Sequence, residues 1–328
     1  MATVFKTLLT NDIATTRTLL NEAIPITGSI LSGSAYGDEN IKNYPHGIFQ
    51  SVYDYPVMSS SANHIFDISY GYSSNLSNTS NLGNSKKQNI YNQMAQILVG
   101  YDQDSSIRKF DSDGNFFGDS ALVGVMDACV FVNYSRLLVK DEIKKQTFLL
   151  DLISGSTIQT IGDYGANNDY RVNSPAGEFG LLYTSSVSPY GESIGLLYYQ
   201  AGIAVLTASA DIFDSFSTFT GSLSISGTAN NVRSKWDNNS FQNTTELNST
   251  IYFCRASNNE YNYSSNQTYL SESKIQVKND NVAQPPVAYV TTVGLYSADN
   301  ELLAVAKLSE PLKKDPSSEL IFRVRLDY

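Results

Sequence analysis

The run LIFRVRLD at residues 320–327 shows most clearly how this chain folds. Apolar and charged residues alternate from Phe322 to Asp327. A β-strand has a side-chain period of two, so the two sets fall on opposite faces. We therefore predict a strand with Arg323 and Arg325 pointing outward. The expected buried face is formed by Phe322, Val324 and Leu326.

The residues before this strand predict two more strands of the same sheet. They are residues 287–296 and 301–308, and the polar stretch 297–300 forms the turn between them. Pro311 and Pro316 are expected to bracket a polar loop. Together these segments predict a C-terminal three-stranded meander, in which the last strand packs against the hairpin.

The region 147–328 as a whole is predicted to be β-rich. A turn or bulge is expected at 200–202, and residues 208–248 are expected to form a polar excursion from the sheet. Strands are predicted at 147–153, 179–183, 194–207 and 249–255.

The region 1–146 is predicted to be mixed. Its clearest helix covers 85–99, with Ser85 as N-cap. The apolar residues at helical spacing in it are Ile90, Met94, Ile97 and Leu98. A second helix is expected in part of 134–146, with Leu137, Leu138 and Ile143 on its apolar side. Residues 25–57 are predicted to form an irregular, tyrosine-rich arm. We keep the alternative that 1–146 and 147–328 form one continuous domain.

The composition supports a mainly β fold with a few helices (α+β). Only 16% of residues are charged, well below the roughly 25% of a typical soluble domain. Tyrosine and phenylalanine, with 22 and 15 copies, favour pleated and half-buried surfaces, while the abundant Asn, Ser and Gly favour turns. We expect antiparallel sheets in a sandwich-like core, joined by long polar loops.

The charge of the chain argues against a nucleic-acid-binding role. The formal net charge is −10, and 32 acidic residues outnumber 22 basic ones. A duplex-binding surface needs clustered Lys and Arg to displace counterions. The basic pairs at 86–87, 144–145 and 313–314 are interpreted as solvated loop or helix faces. No direct nucleic-acid binding is expected.

Cysteine usage and hydropathy add two further expectations. Cys129 and Cys254 both lie in apolar, strand-like contexts, so they are interpreted as inert core thiols rather than a disulfide framework. No signal peptide and no apolar run long enough to cross a bilayer is expected.

The motifs that would carry chemistry are weak. The stretch 191–195 matches a nucleophile elbow around Ser193, but no histidine follows it in the chain. His46 and His64 are interpreted as turn or surface groups. The acidic stretch 111–115 is similar to part of a calcium loop, although a hairpin turn explains it equally well. We predict no catalytic, cofactor-binding or metal-binding residue and leave open only a pair of carboxylates for glycoside hydrolysis.

Several segments along nearly the whole chain are distinctive. They are 9–17, 48–56, 89–96, 241–255, 259–266, 289–314 and 322–328. These segments resemble a family of virion structural proteins in tailed phages, especially T4-like phages of marine cyanobacteria. The likeness is weakest over 208–240, and the piece 292–305 is also similar to a hairpin near the start of many tail-fibre proteins.

The resemblance implies a non-enzymatic structural component of the neck, tail or baseplate, located in the virion and assembled in the host cytoplasm. Other virion structural proteins are the expected partners, in a homo-oligomer or ring, with no cofactor and no membrane. Arg323, Arg325 and Tyr328 are the candidate subunit-interface residues. The alternative is a host-receptor-binding, glycan-binding or glycan-depolymerising part of the tail-fibre apparatus, although Trp236 is the only tryptophan.

Overall fold

The fold is mainly β, as the composition predicts. Of the residues that the structure describes, 47% lie in strands and 14% in helices, and most strands belong to a large antiparallel sheet, which confirms the predicted class. The structure is a computed structural model that describes residues 5–74, 82–116, 124–154, 156–191, 193–208, 224–263, 270–271, 274–275 and 287–328.

The helices are short apart from one. They are α1 (Gly28–Leu31), α2 (Leu82–Leu98), α3 (Arg136–Val139) and α4 (Ile225–Ser234), with a 3-10 turn at Thr10–Asp12. The strands are β1 (Ile13–Thr27), β2 (Ile41–Asn43), β3 (Phe49–Tyr53), β4 (His64–Tyr72), β5 (Ala128–Tyr134), β6 (Glu142–Ile143), β7 (Leu149–Ser154), β8 (Thr157–Gly162), β9 (Phe179–Tyr183), β10 (Ser193–Tyr198), β11 (Ile203–Thr207), β12 (Trp236–Ala256), β13 (Leu270–Ser271), β14 (Lys274–Ile275), β15 (Ala288–Tyr296), β16 (Leu302–Lys314) and β17 (Leu320–Asp327).

The chain divides into two compact units. We call Leu19–Thr245 the core unit, and Met1–Thr18 together with Glu246–Tyr328 the terminal unit. The division differs from the expected boundary between 146 and 147, because residues on both sides of that point lie in the core unit.

The sheet of the core unit is buried on both faces. Its strands run in the order β12-β7-β8-β9-β10-β11-β5-β4-β3-β2, with antiparallel neighbours. In β5, Val130 and Val132 enter one apolar cluster, while Cys129 and Phe131 enter another. Successive residues of a strand point to opposite faces, so the sheet carries a core on each side.

Helix α2 covers one of these faces. It begins at Leu82, three residues before the predicted start, so Ser85 lies exposed inside the helix instead of capping it. Tyr91 is buried in the core, but Ile97, expected on the apolar side, is exposed. A Cβ at Gly71 of β4 would lie 2.7 Å from backbone atoms of α2, so glycine permits this close approach. Among the described residues, no helix combines the length and apolar character needed to span a membrane.

The second predicted helix is confirmed for the four residues of α3, but its expected apolar side is wrong. Leu137 on α3 is exposed. Ile143, expected on the apolar side of that helix, is instead a fully buried residue of strand β6. Pairing of β6 with β12 outweighs the local helical pattern.

The polar excursion predicted at 208–248 is also wrong over its second half. Helix α4 and the first thirteen residues of β12 occupy 225–234 and 236–248. Polar strand residues are buried here because they bond to neighbouring backbone, as when the Asn239 amide donates to the Leu149 carbonyl at 2.9 Å. Residues 209–223 of the predicted excursion lie outside the described residues.

The predicted irregular arm at 25–57 contains regular elements. Strand β1 extends to Thr27, helix α1 follows, and β2 pairs with β3. The turn expected at 200–202 is confirmed between β10 and β11, where Gly202 has a φ of 67°.

In the terminal unit, the C-terminal meander is replaced by a different pairing. Strands β15 and β16 form a hairpin of their own, and β17 pairs with the second half of β12. Pro311 lies within β16, where the register shifts between the pairs formed by Val290 and Thr292. A bulge tolerates a residue without a backbone N–H, which explains why proline does not end this strand.

Candidate subunit interface

The last strand presents the residue set that its alternation predicts. Arg323 and Arg325 are exposed on β17, and Tyr328 just beyond it is 75% exposed. The Arg325 guanidinium donates to Asp327 at 2.7 Å and to the Ser249 hydroxyl at 3.0 Å. The Ser249 hydroxyl and then Arg325 lower the pKa of the Asp327 carboxyl, because both stabilise its charged form. The structure thus brings Arg325 and Asp327 into one small polar group.

Arg323 and Tyr328 have different surroundings. Among the described residues, Arg323 makes no ion pair or hydrogen bond through its side chain. The Tyr328 hydroxyl lies 3.1 Å from the Thr250 hydroxyl, and its backbone bonds to Asn248. The three predicted residues therefore lie along the same strand end. Of the two arginines, Arg325 is paired with Asp327, whereas Arg323 has no ion pair with any residue that the structure describes.

The opposite face of β17 is the less exposed one. Val324 is 7% exposed, and Phe322 and Leu326 are partly buried. The predicted separation of faces is confirmed, but the strand that β17 pairs with is β12 rather than the hairpin.

The hairpin carries an exposed apolar surface that the sequence reasoning missed. We call Tyr289, Tyr296, Leu303 and Val305 the hairpin surface. Their exposed fractions run from 45% for Tyr296 to 68% for Leu303. The hairpin was expected to bury apolar residues against the last strand, so only knowledge of the pairing partner would have revealed this surface.

The terminal unit has little apolar core among its described residues. Its buried apolar residues are Ala256, Ala288 and Val324, and neither of the two large apolar clusters includes any residue of this unit. Two-stranded hairpins are marginally stable alone in water. The unit must therefore gain stability from contacts other than a large internal core.

Polar contacts supply part of that stability. Lys314 at the end of β16 is fully buried, and its ammonium group donates to the Asn262 side chain at 2.8 Å and to the carbonyls of Asn258 and Asp315 at 3.2 and 3.0 Å. Three acceptors match the three donors of a lysine. The interpretation of residues 313–314 as solvated is therefore wrong for Lys314.

The same correction applies to one residue of the core unit. Lys87 on α2 is 2% exposed, with its ammonium group 5.7 Å from the centre of the Tyr70 ring. Burial lowers the pKa of Lys87 because it removes water from the charged form.

One buried carboxyl of the core unit has a perturbed titration. Burial raises the pKa of Asp163 to about 6, although hydrogen bonds oppose the shift. Its oxygens accept from the backbone N–H of Gln146 and Phe148 and from the Tyr199 hydroxyl, at 2.7, 3.1 and 3.1 Å. Perturbed carboxyls often mark reactive sites. Asp163 is 1% exposed, however, and lies just after β8. Two of these bonds join it to the segment that leads into β7, and the third joins it to Tyr199, which follows β10.

The sequence motifs of the core unit occupy structural positions. Ser193 opens β10, and its hydroxyl donates to the Ser112 carbonyl. The stretch 111–115 forms tight turns in which Asp113 accepts from the backbone of Asn115 at 2.9 Å. Within the described ranges, no cluster of three or more His, Cys, Asp or Glu side chains has a geometry that would hold a metal.

The histidines and cysteines lie in ordinary surroundings. His64 at the start of β4 contacts Asp67 at 2.8 Å, and His46 stacks on Tyr44 in a turn. Cys129 is fully buried, which raises its thiol pKa and agrees with a core position. Cys254 lies in β12 and is only partly buried.

Comparison with known proteins finds no match. No family model, curated protein or solved structure is similar to this chain.

Proposed function

We propose that this chain is a structural component of a tailed-phage virion, in the neck, tail or baseplate, that packs against neighbouring subunits. The hairpin surface carries the proposal. Its four large apolar side chains are exposed on a two-stranded sheet, in a unit with few buried apolar residues. Large apolar side chains exposed together on one hairpin favour a role in protein–protein contacts.

The partners follow from the same reasoning. Tyrosine supplies a large contact area at low entropic cost, and Tyr289, Tyr296 and Tyr328 are all exposed in the terminal unit. Other virion structural proteins and further copies of this chain, in a homo-oligomer or ring assembled in the host cytoplasm, would cover them. The resemblance of the sequence to virion proteins of T4-like phages supports the same assignment.

The glycan-binding alternative has less support. Trp236, the only tryptophan of the chain, is 1% exposed and stacks on Phe66 with ring centres 5.1 Å apart. It is therefore not available to stack on a sugar ring at the surface.

Mass spectrometry and imaging of purified particles test the location. We expect the chain in several symmetric copies at the neck, tail or baseplate. Its absence from purified particles, with the protein recovered only in the soluble fraction of infected cells, would contradict the proposal.

A matched pair of substitutions tests the surface. Leu303 in the terminal unit and Leu137 in the core unit are 68% and 69% exposed. We expect Leu303→Asp to reduce incorporation into particles strongly and Leu137→Asp to leave it unchanged, while both variants keep the circular dichroism of the wild type. Equal incorporation of the two variants would contradict the proposal that the hairpin surface contacts neighbouring subunits.

A further inference from the structure

The backbone N–H and C=O groups of β17 point alternately towards β12 and away from it. Tyr328 and Asn248 exchange both of their hydrogen bonds, with N···O distances of 2.9 and 3.1 Å. In an antiparallel pair, residues that exchange bonds alternate with residues whose N–H and C=O groups point away from the partner. The register of β12 and β17 therefore directs the backbone groups of Ile321, Arg323, Arg325 and Asp327 away from β12.

That outer edge of β17 is open among the described residues. The only strand that pairs with β17 there is β12. The side chains of the same four residues are exposed, and the apolar one, Ile321, is 64% exposed. We call these four residues the strand edge. Unpaired backbone groups in an extended row are a template for adding another strand.

The charge of this edge selects a partner. Arg323 and Arg325 project to the same side, because they are two residues apart in a strand. Asp327 compensates Arg325, whereas Arg323 has no acidic group nearby among the described residues. Arg255, opposite Ile321 in the register, adds a third guanidinium and pairs with Asp12 at 2.9 Å. Among the described residues, the strand edge thus carries one arginine, Arg323, without an ion pair, beside two arginines that are paired with single carboxylates, on a chain of net charge −10.

A second copy of β17 fits this edge poorly. In a two-fold antiparallel pairing centred on residue 324, Arg323 of each copy would lie opposite Arg325 of the other. A pairing centred on 323 or 325 would place one arginine opposite itself. Like charges directly opposite each other destabilise a sheet. A pairing centred on 326 would place Arg325 opposite Asp327 but would leave Arg323 without an acidic residue opposite it, so none of these registers compensates both arginines.

We propose that an acidic extended segment of a neighbouring virion protein adds to β17 as an antiparallel strand. The segment carries Asp or Glu at two positions separated by one residue, opposite Arg325 and Arg323. An apolar residue two positions further on lies opposite Ile321. This inference rests on the proposed function, because it names the partner chemistry of the same interface.

A short peptide tests the pairing. The probe is Ser-Thr-Glu-Thr-Glu-Thr-Val, labelled with a fluorophore and titrated with the full chain in an anisotropy measurement. Its first residue lies opposite Asp327 and its last opposite Ile321. We expect saturable binding that weakens with salt, and an affinity about tenfold above that of a peptide with lysine at both glutamate positions. Equal binding of both peptides would overturn the charge selection.

Backbone methylation separates strand addition from simple charge attraction. In the proposed register, the N–H groups of the two glutamates face β17, while those of the three threonines face away. N-methylation of the glutamates should abolish binding, and N-methylation of the threonines should leave most of it. Binding that survives methylation of the glutamates would overturn strand addition.

Variants of the chain complete the test. Arg323→Glu should weaken the glutamate peptide by about tenfold or more, while Lys307→Glu, at an exposed position of β16, should change little. In sedimentation of the chain alone, Arg323→Glu should leave any self-association unchanged. A change in self-association caused by Arg323→Glu would overturn the choice of partner. If purified particles contain the chain but the peptide does not bind, this inference fails and the proposed function stands.

Discussion

Strands β5 and β16 look alike in sequence but have opposite surroundings. Both are rich in apolar residues, with ACVFVNY in β5 and LLAVAKL opening β16. Strand β5 has a neighbour on each edge and an apolar cluster on each face, so nearly all of it is buried. Within the part of the chain that the structure describes, strand β16 pairs only with β15, and Leu303 and Val305 remain exposed. An apolar strand therefore indicates a surface that will be covered, but not whether the chain or a neighbour covers it.

The largest expected effect is in the core unit. Phe131 on β5 is fully buried, with ring centres 5.5 Å from Phe110 and 6.5 Å from Tyr91. Phe131→Ala should lower the free energy of unfolding by about 3–5 kcal/mol, because it leaves a cavity between packed rings. Denaturant unfolding measures this change, and a loss below about 1 kcal/mol would show that the two-sided core is not packed as described.

The second largest expected effect is the pH dependence of the stability that Asp163 contributes. The pKa of Asp163 rises from 3.8 when unfolded to about 6 when folded, so the folded state holds this proton more tightly. The resulting stabilisation is complete below about pH 4 and is lost as the pH rises through 6, on the order of 3 kcal/mol. The stability of the wild type relative to Asp163→Asn should therefore increase when the pH falls from 7 to 4. A difference between the two proteins that does not vary with pH would contradict this account.

A smaller effect is expected at the last strand. Phe322 is only partly buried, so Phe322→Ala should cost about 1–2 kcal/mol, less than the roughly 3–5 kcal/mol expected of a fully packed phenylalanine. Arg325→Ala should cost under about 1 kcal/mol, since its ion pair with Asp327 is exposed. Thermal melts of both variants check that Phe322→Ala loses more stability than Arg325→Ala. A Phe322→Ala protein that melts like the wild type would show that the pairing with β12 buries nothing at this position.

The smallest effect is expected at the hairpin surface. Leu303→Ser removes a side chain that is 68% exposed, so the stability of the isolated chain should change by no more than about 0.5 kcal/mol. A loss comparable to that of Phe131→Ala would mean that Leu303 is already covered within the chain. That result would contradict the conclusion that β5 is buried within the chain whereas β16 is exposed.

The elements predicted well from sequence are those with a strong local period. Strand β9 has the predicted bounds, 179–183, and the alternation of β17 correctly separates Val324 from Arg323 and Arg325. The first half of β12 was missed because its Asn, Ser and Thr residues resemble a loop. Such residues are stable in a buried strand when a neighbour accepts their hydrogen bonds, and that neighbour is distant in sequence.

The candidate interface was predictable only in part. Periodicity alone places Arg323 and Arg325 on an exposed face. The open edge of β17 and the exposed hairpin surface depend on which strand β17 pairs with, and β12 lies about 70 residues earlier in the chain. The local pattern offers no signal for that choice, so the nearer hairpin was the natural expectation.

The most direct test of the central claim is hydroxyl-radical footprinting of tyrosines in the isolated chain and in assembled particles. Tyr289, Tyr296 and Tyr328 report on the terminal unit, while Tyr55 and Tyr101, of similar exposure to Tyr296, report on the core unit. We expect the first three to be modified in the isolated chain and protected in particles. Equal modification of Tyr289, Tyr296 and Tyr328 in both states would contradict the claim that neighbouring subunits cover the terminal unit.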